Sequence, residues 1–233
     1  MKKLSSILRY KLTLVILALL FSYVQISAQD SALRIGINLG VNMSNATIKQ
    51  INNVIGSTSS RAGYQIGVTG DYAVSRKFLI MSGLSFIAKE TKYEGEPLDI
   101  FSLFSPSYIT YSKYKFEYYY FQMPIYGAYK IHLSNDLIFK LGIGPSISYL
   151  AGGELGCIAY FSNETQSSYK FRIVDDFNLF DFGLGALLNI EYRNINLNIG
   201  YEQGLNNIKK FDTYSYHSTC FTLSLGYKFG KMR

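Results

Sequence analysis

The sequence predicts an all-β fold: a single eight-stranded antiparallel up-and-down transmembrane β-barrel with short periplasmic turns and four long outer loops. Three observations predict it. Apolar residues alternate with small or polar ones through eight segments. Most of these segments run ten residues or more, where soluble strands average about 5–6 and tilted membrane-spanning strands need about 9–11. The connections between them alternate short and long, as in outer-membrane barrels.

The segments follow in order. In 34–43, Ile35, Ile37, Leu39, Val41 and Met43 share one face, opposite Arg34, Gly36, Asn38, Gly40 and Asn42. In 63–74, Tyr64, Ile66, Val68, Tyr72 and Val74 oppose Gly63, Gln65, Gly67, Thr69 and Asp71. Segment 78–92 sets Phe78, Ile80, Leu84, Phe86 and Ala88 against Gly83, Ser85 and Lys89, with Leu79, Met81 and Ile87 as exceptions. Segment 114–130 sets Tyr119, Phe121, Met123, Ile125 and Tyr129 against Tyr120, Gln122, Pro124, Tyr126 and Lys130. Segments 137–150, 178–192, 195–205 and 219–229 repeat the pattern, their polar faces carrying Lys140, Asp181, Glu191, Glu202 and Lys228. Short connections are expected at 75–77, 131–136 and 193–194, and long ones at 44–62, 93–113, 151–177 and 206–218.

If the apolar faces meet lipid, the polar faces line the lumen. Glycine and serine suit the crowded interior of so small a barrel. Charges on that face nearly balance: Arg34, Lys89, Lys140 and Lys228 against Asp71, Asp181, Glu191 and Glu202. They are expected to pair internally and fill the lumen rather than form an ion pathway. Tyrosines near strand ends fit interfacial girdles. Pro124, in mid-strand, removes a ladder donor, so a bulge is expected there.

Composition narrows the class. The chain has 233 residues, of which 48% are hydrophobic and 17% charged, against about 25% charged in soluble domains. That much apolar surface excludes disorder, and two cysteines exclude a disulfide scaffold. The net charge of +7 is concentrated at the start, where Lys2, Lys3, Arg9 and Lys11 precede an uncharged apolar core, and no acid occurs before Asp30. Residues 1–28 therefore read as a cleaved signal peptide, and 29–233 as the barrel domain, exported to the outer membrane. Without the leader, 19 of the 23 basic residues remain against 16 acids, which leaves no basic face for nucleic acid.

Several stretches resemble a known family. Tyr119-Tyr-Phe-Gln-Met-Pro-Ile125 is similar to the aromatic–Leu–Glu–Ile–Pro–Leu strand of the PorT-like outer-membrane β-barrels. Arg34-Ile-Gly-Ile-Asn-Leu-Gly40, Gly142-Ile-Gly-Pro-Ser146, Phe180-Asp-Phe-Gly-Leu-Gly185, Tyr201-Glu-Gln-Gly-Leu-Asn206 and Leu225-Gly-Tyr-Lys-Phe229 follow in the family's order. The resemblance spans about 29–229. Gln122 stands where the family usually has Glu, and four residues follow the terminal aromatic. It implies an outer-membrane barrel of Bacteroidetes-type bacteria. The family's namesake is tied to a secretion and gliding apparatus, but most members have no assigned activity.

The functional expectation is a non-enzymatic structural or interaction protein of the envelope, acting through its outer loops. Its expected partners are outer-membrane lipid and lipopolysaccharide, the barrel-assembly machinery during insertion, and envelope or secretion-complex proteins. Leu225, Tyr227 and Phe229 fit a C-terminal assembly signal. Tyr111, Lys113, Tyr114 and Lys115 form a basic-aromatic candidate outer-loop binding patch. No catalytic, cofactor or metal site is expected, because the histidines, His132 and His217, form no cluster with the cysteines. Two alternatives stay open. An outer-leaflet lipid A acyl hydrolase would need a serine in register with His217, yet Ser218 falls on the opposite face and only Thr219 is in register. A soluble lipocalin-like carrier would turn its apolar faces inward. Cys157 and Cys220 are expected as free buried thiols, with a disulfide across the barrel mouth as the rival reading.

Overall fold

The computed structural model describes residues 33–50, 53–54, 57–95, 109–161, 166–172, 177–207 and 214–230. They form strands β1 (Leu33–Gln50), β2 (Asn53–Val54), β3 (Ser57–Ala73), β4 (Phe78–Gly95), β5 (Ile109–His132), β6 (Leu137–Phe161), β7 (Gln166–Arg172), β8 (Phe180–Tyr192), β9 (Ile195–Gly204) and β10 (Tyr214–Lys228). All pairings are antiparallel and the sheet closes on itself, because β10 also pairs with β1. The circuit runs β1-β3-β4-β5-β6-β8-β9-β10; β2 pairs with β1 and β7 with β6 outside it. The leader, 1–28, lies outside the described residues.

Register shows that the strands are tilted. The pairing that starts at Leu33 runs through Tyr72, Ile80, Gly127, Ile143, Ala186, Tyr201 and Phe221 and returns to β1 at Met43, ten residues further along. Such a stagger is what a closed barrel with strands tilted 35–45° requires. Ten residues at about 3.3 Å each, inclined about 40°, rise about 25 Å, which matches the apolar band of membrane barrels.

Side chains sort as alternation dictates. Leu39, Val41, Ile66, Val68, Leu84, Ile143 and Leu225 face out and are more than half exposed. Arg34, Asp71, Lys140, Asn189, Glu191 and Lys228 face in and are at most 3% exposed. That arrangement is the reverse of a lipocalin-like carrier. The interior is narrow enough to demand glycine at particular points: a Cβ on Gly144 would lie 2.0 Å from the carbonyl oxygen of Ile125, and one on Gly40 would lie 2.4 Å from that of Leu223. The turns at one end are short, at 74–77, 133–136 and 193–194. The tightest is the two-residue turn at Arg193-Asn194, where Arg193 takes a left-handed φ of 56°.

Three expectations need correction. Much of the chain expected as long loop is strand: β1 continues to Gln50, β5 begins at Ile109, β6 runs to Phe161, and β2 and β7 lie wholly in expected loops. Alternation does continue there, but its apolar face changes sides, which hid it. Pro124 causes no bulge. The β4–β5 register is the same on either side of it, at Ser82↔Ile125 and Ser85↔Gln122, and the Ser82 hydroxyl donates to the Pro124 carbonyl at 2.8 Å. The register shifts fall instead between Tyr119 and Tyr120 and between Ile109 and Tyr111 on β5–β6, and between Ser60 and Gln65 on β3–β4. Finally, Leu79, Met81 and Ile87 are not defects in the pattern: they point inward and are buried at 2%, 5% and 0% exposure.

Candidate functional site: the lumen and the outer wall

Two ionic groups occupy the lumen. Near the short turns, Lys140 Nζ donates to Asp71 Oδ2 at 2.8 Å and to Glu191 Oε2 at 2.5 Å. Lys228 Nζ donates to the other Asp71 oxygen at 2.5 Å and to Thr69 Oγ1 at 3.0 Å, and Arg34 Nη1 donates to Glu191 Oε1. Strands far apart in sequence thus share one network, because each contributes an inward position close to its short-turn end. Burying ions is costly unless they are paired and hydrogen-bonded, and both carboxylates here are held by two cations each.

The second group lies toward the other end. Lys89 Nζ reaches Glu202 Oε1 at 3.1 Å and sits 5.3 Å from the Tyr120 ring centre. Gln122 Nε2 donates to both Glu202 oxygens at 2.7 and 2.6 Å, so the glutamine that departs from the resembled motif serves as a neutral partner for a buried acid. Ser218 donates to Asp181 at 2.8 Å. Between the groups, Asn189 donates to Asn198 at 2.6 Å and Asn198 to Asn196 at 2.9 Å. A cavity of about 90 Å³, lined in part by Asn38, Ser82, Gln122, Tyr126 and Glu202, has room for a few waters.

All eight expected lumen residues are buried in these groups or, for Asp181, bonded to Ser218. Lys130 joins them at 3% exposure; its inward position was legible, its place beside the network was not. Leu225 and Tyr227 face out, and Tyr227 meets Phe229 edge-on at 5.3 Å. Cys157 and Cys220 are free and buried. His217 and Ser218 fall on opposite faces of β10, Ser218 buried and His217 partly exposed, while Thr219 donates to the Asn45 carbonyl at 3.4 Å. Among the described residues no histidine, cysteine and carboxylate cluster could hold a metal.

The candidate binding patch is divided by the strand. Tyr111 is 37% exposed and Lys115 is exposed, with Lys113 half-buried, but Tyr114 points inward at 2% exposure. Tyr114 belongs to an interior cluster with Tyr93, Phe116, Tyr118, Tyr120, Leu150, Leu155, Phe177 and Tyr216. Phe116 stacks on Tyr118 at 6.0 Å, and Phe177 meets Tyr216 edge-on at 6.1 Å. The opposite face of the same strands is ionic. Lys115 bonds Glu117 at 2.5 Å and lies 3.4 Å from Glu90; Lys92 pairs with Glu94, and Lys170 with Glu154 at 3.7 Å. The Lys115 hydrogen bond holds the Glu117 carboxyl below its ordinary range, and the same bond raises Lys115.

The two faces therefore exchange character along each strand. On β5, outward Ile125, Met123, Phe121 and Tyr119 give way to Glu117, Lys115 and Lys113, while inward Lys130 and Gln122 give way to Tyr120, Tyr118, Phe116 and Tyr114. On β4 the exchange falls between Phe86 and Glu90. An outward face that is greasy over about 25 Å and charged beyond it has crossed from hydrocarbon into water.

An antiparallel barrel with a lipid-facing band, aromatic residues at its limits and ions within is a membrane β-barrel of the outer-membrane type. The chain belongs to the family described as outer membrane protein beta-barrel domain, whose model matches residues 25–210, and its place is the outer membrane. No curated protein matches the sequence. Among solved structures it is similar to OprG from Pseudomonas aeruginosa (13% identity, 88% of this chain and 99% of that one covered, TM-score 0.46). It is similar also to Ail, the attachment invasion locus protein of Yersinia pestis (12%, 84% and 98%, TM-score 0.40), and to Neisserial surface protein A (14%, 85% and 98%, TM-score 0.37).

Proposed function

We propose that the protein is an eight-stranded barrel of the PorT-like type, from a Bacteroidetes-type envelope, with a plugged lumen and no enzymatic activity. It binds other envelope or secretion-complex proteins through the outer wall built on β4, β5, β6 and β7. In this reading β2 and β7 belong to outer hairpins, the short turns face the periplasm, residues 1–28 are a cleaved signal peptide, and Leu225, Tyr227 and Phe229 are read by the barrel-assembly machinery. The observation that carries the reading is the wall itself. Strands β5 and β6 are 24 and 25 residues long, well beyond the 9–11 that spanning needs. The surplus is not loose loop: it is paired sheet with a packed aromatic interior and an ionic exterior. Ordering so much backbone costs entropy, and a rigid wall above the membrane presents a defined surface to a partner. The plugged lumen rests on the two ionic groups and on the aromatic cluster stacked above them.

The test is photo-crosslinking in the native membrane from Lys113 and Lys115 on the wall, with Leu39 in the lipid band as the control. Protein adducts from the wall positions and lipid adducts from Leu39 are expected. Lipopolysaccharide as the sole adduct at the wall would overturn the protein-binding reading.

A further inference from the structure

The outer surface of the short-turn rim is basic. Its turns, 74–77, 133–136 and 193–194, expose Arg76, Lys77 and Arg193 and, among the described residues, a single acid, Asp136. The ion pair on these turns joins Arg193 Nη2 to Asp136 Oδ2 at 3.6 Å. The opposite end of the barrel differs, for each described glutamate of the wall, Glu90, Glu94, Glu117 and Glu154, is matched by a lysine.

The rim cations stand at the edge of the lipid band. Beside the turns, Tyr72, Phe78, Tyr129, Tyr192 and Tyr227 face out, between 37% and 56% exposed, as an aromatic girdle at headgroup level does. Lys77 directly precedes Phe78, and Arg193 directly follows Tyr192. The Arg193 guanidinium lies over the Tyr192 ring, 5.3 Å from its centre, so it is laid along the lipid-facing side of the barrel. Its side chain is 65% exposed, and 3.6 Å is too long for a hydrogen bond, so its planar fork is open to the oxygens of a phosphate.

The rim is also held in one shape. Ser75 Oγ accepts from the Lys77 and Phe78 N–H groups at 3.3 and 3.1 Å, and Ser134 Oγ from those of Asp136 and Leu137 at 3.4 and 3.1 Å. The Arg193 N–H donates to the Asp136 carbonyl at 2.8 Å, which ties two turns together. Arg193 is the one non-glycine residue with a left-handed φ among the described residues. Asparagine or glycine would take that backbone with less strain, so turn geometry does not account for an arginine there.

We propose that the short-turn rim is a docking collar for anionic phospholipid, with Arg193 gripping a headgroup phosphate from its place over Tyr192 and Arg76 and Lys77 adding charge on a neighbouring hairpin. Lipid is the occupant because the guanidinium rests on a ring that itself faces the bilayer. The collar lies at the end away from the protein-binding wall; with the short turns in the periplasm, it meets the periplasmic leaflet.

The experiment titrates the detergent-extracted, folded protein with dioleoylphosphatidylglycerol or dioleoylphosphatidylcholine, which share their acyl chains, and counts bound lipid by native mass spectrometry. A basic residue near an anionic surface adds about fivefold in affinity, so wild type is expected to prefer phosphatidylglycerol by about tenfold and Arg193→Gln by only about twofold. Arg76→Gln with Lys77→Gln should lower the preference in the same way, while Arg61→Gln, which removes a charge at the far end, should leave it unchanged. Arg193→Gly relieves the left-handed backbone, so it should lose the preference while its thermal unfolding midpoint holds or rises. Inorganic phosphate at constant ionic strength should not displace the lipid. Equal affinity for the two lipids in wild type, an unchanged preference in Arg193→Gly, or displacement by inorganic phosphate would overturn the proposal.

Discussion

Leu39 tests the claim on which the membrane assignment rests. It is 63% exposed, midway along the outward row from Leu33 to Met43, and its cross-strand neighbours are Ile66 on β3 and Leu225 on β10, both also outward. The register rises about 25 Å over that row, so Leu39 falls near the bilayer centre and Leu33 near one edge. Arginine at the midplane of a barrel's lipid face costs about 2–4 kcal/mol, and near the interface about 0–1. Leu39→Arg should therefore lower the folding equilibrium by about 30- to 800-fold, and Leu33→Arg by less than about fivefold. The assay is guanidinium unfolding in phospholipid vesicles, followed by tyrosine fluorescence, since the chain has 21 Tyr and no Trp. Equal costs at the two positions, or a cost at Leu39 below about 0.5 kcal/mol, would show that this face does not meet hydrocarbon and would refute the reasoning.

Lys140→Met removes a cation shared by Asp71 and Glu191; a loss of about 3–5 kcal/mol is expected, read in the same unfolding assay. Phe116→Ala, at 0% exposure within the aromatic cluster, should cost about 3–5 kcal/mol and speed proteolysis of the wall in intact cells while the spanning strands stay protected. Burial pushes the Cys157 thiol up to about 11, so its thiolate fraction at pH 7.5, and its labelling rate, should be about a hundredfold below those of a thiol near 9. The sign follows from a raised value: burying the neutral thiol favours folding fully below pH 9, and that contribution is lost as pH rises through 11. Ellman's reagent added to folded and denatured protein over pH 7–11 measures it. His217→Ala should leave lipid A acylation in cells unchanged, as mass spectrometry of extracted lipid A would register; a change in acyl number would restore the hydrolase reading.

What the sequence disclosed was the barrel and its lumen, because alternation across a sheet that faces lipid on one side and packed ions on the other leaves a two-residue period in every strand. Arg34, Asp71, Lys140, Glu191 and Lys228 were each legible as inward positions. Their grouping was not, since it depends on the stagger that brings five strands to one level. A tally along the chain sets Asp181 and Glu202 against Arg34, whereas stagger places them near the other end with Lys89. Tyr114 was misread because its neighbours Lys113 and Lys115 suggested a surface, and no local signal tells which of two alternating faces a strand turns to water once it leaves the bilayer.

That last failure has a physical cause and carries information. Within the bilayer the surrounding solvent is apolar and the interior must be polar to fit ions, glycine and water into a narrow ring; above it the solvent is water and the interior must be apolar to hold the sheet together. A single strand such as β5 obeys both rules with the same backbone period, so the place where its two faces exchange character is the membrane surface itself. On β5 this lies between Tyr119 and Glu117 and on β4 between Phe86 and Glu90, and the register aligns Glu90 with Glu117 and Ala88 with Tyr119 across the two strands. Two neighbouring strands of unrelated sequence exchange faces at one level because a common boundary imposes it. Moving that boundary is a concrete test: Glu117→Leu with Lys115→Leu extends the greasy outward row of β5 by two positions, four residues of strand, and should shift bilayer-quencher accessibility on β5 outward by about 10 Å while leaving β8, on the far side of the ring, unmoved.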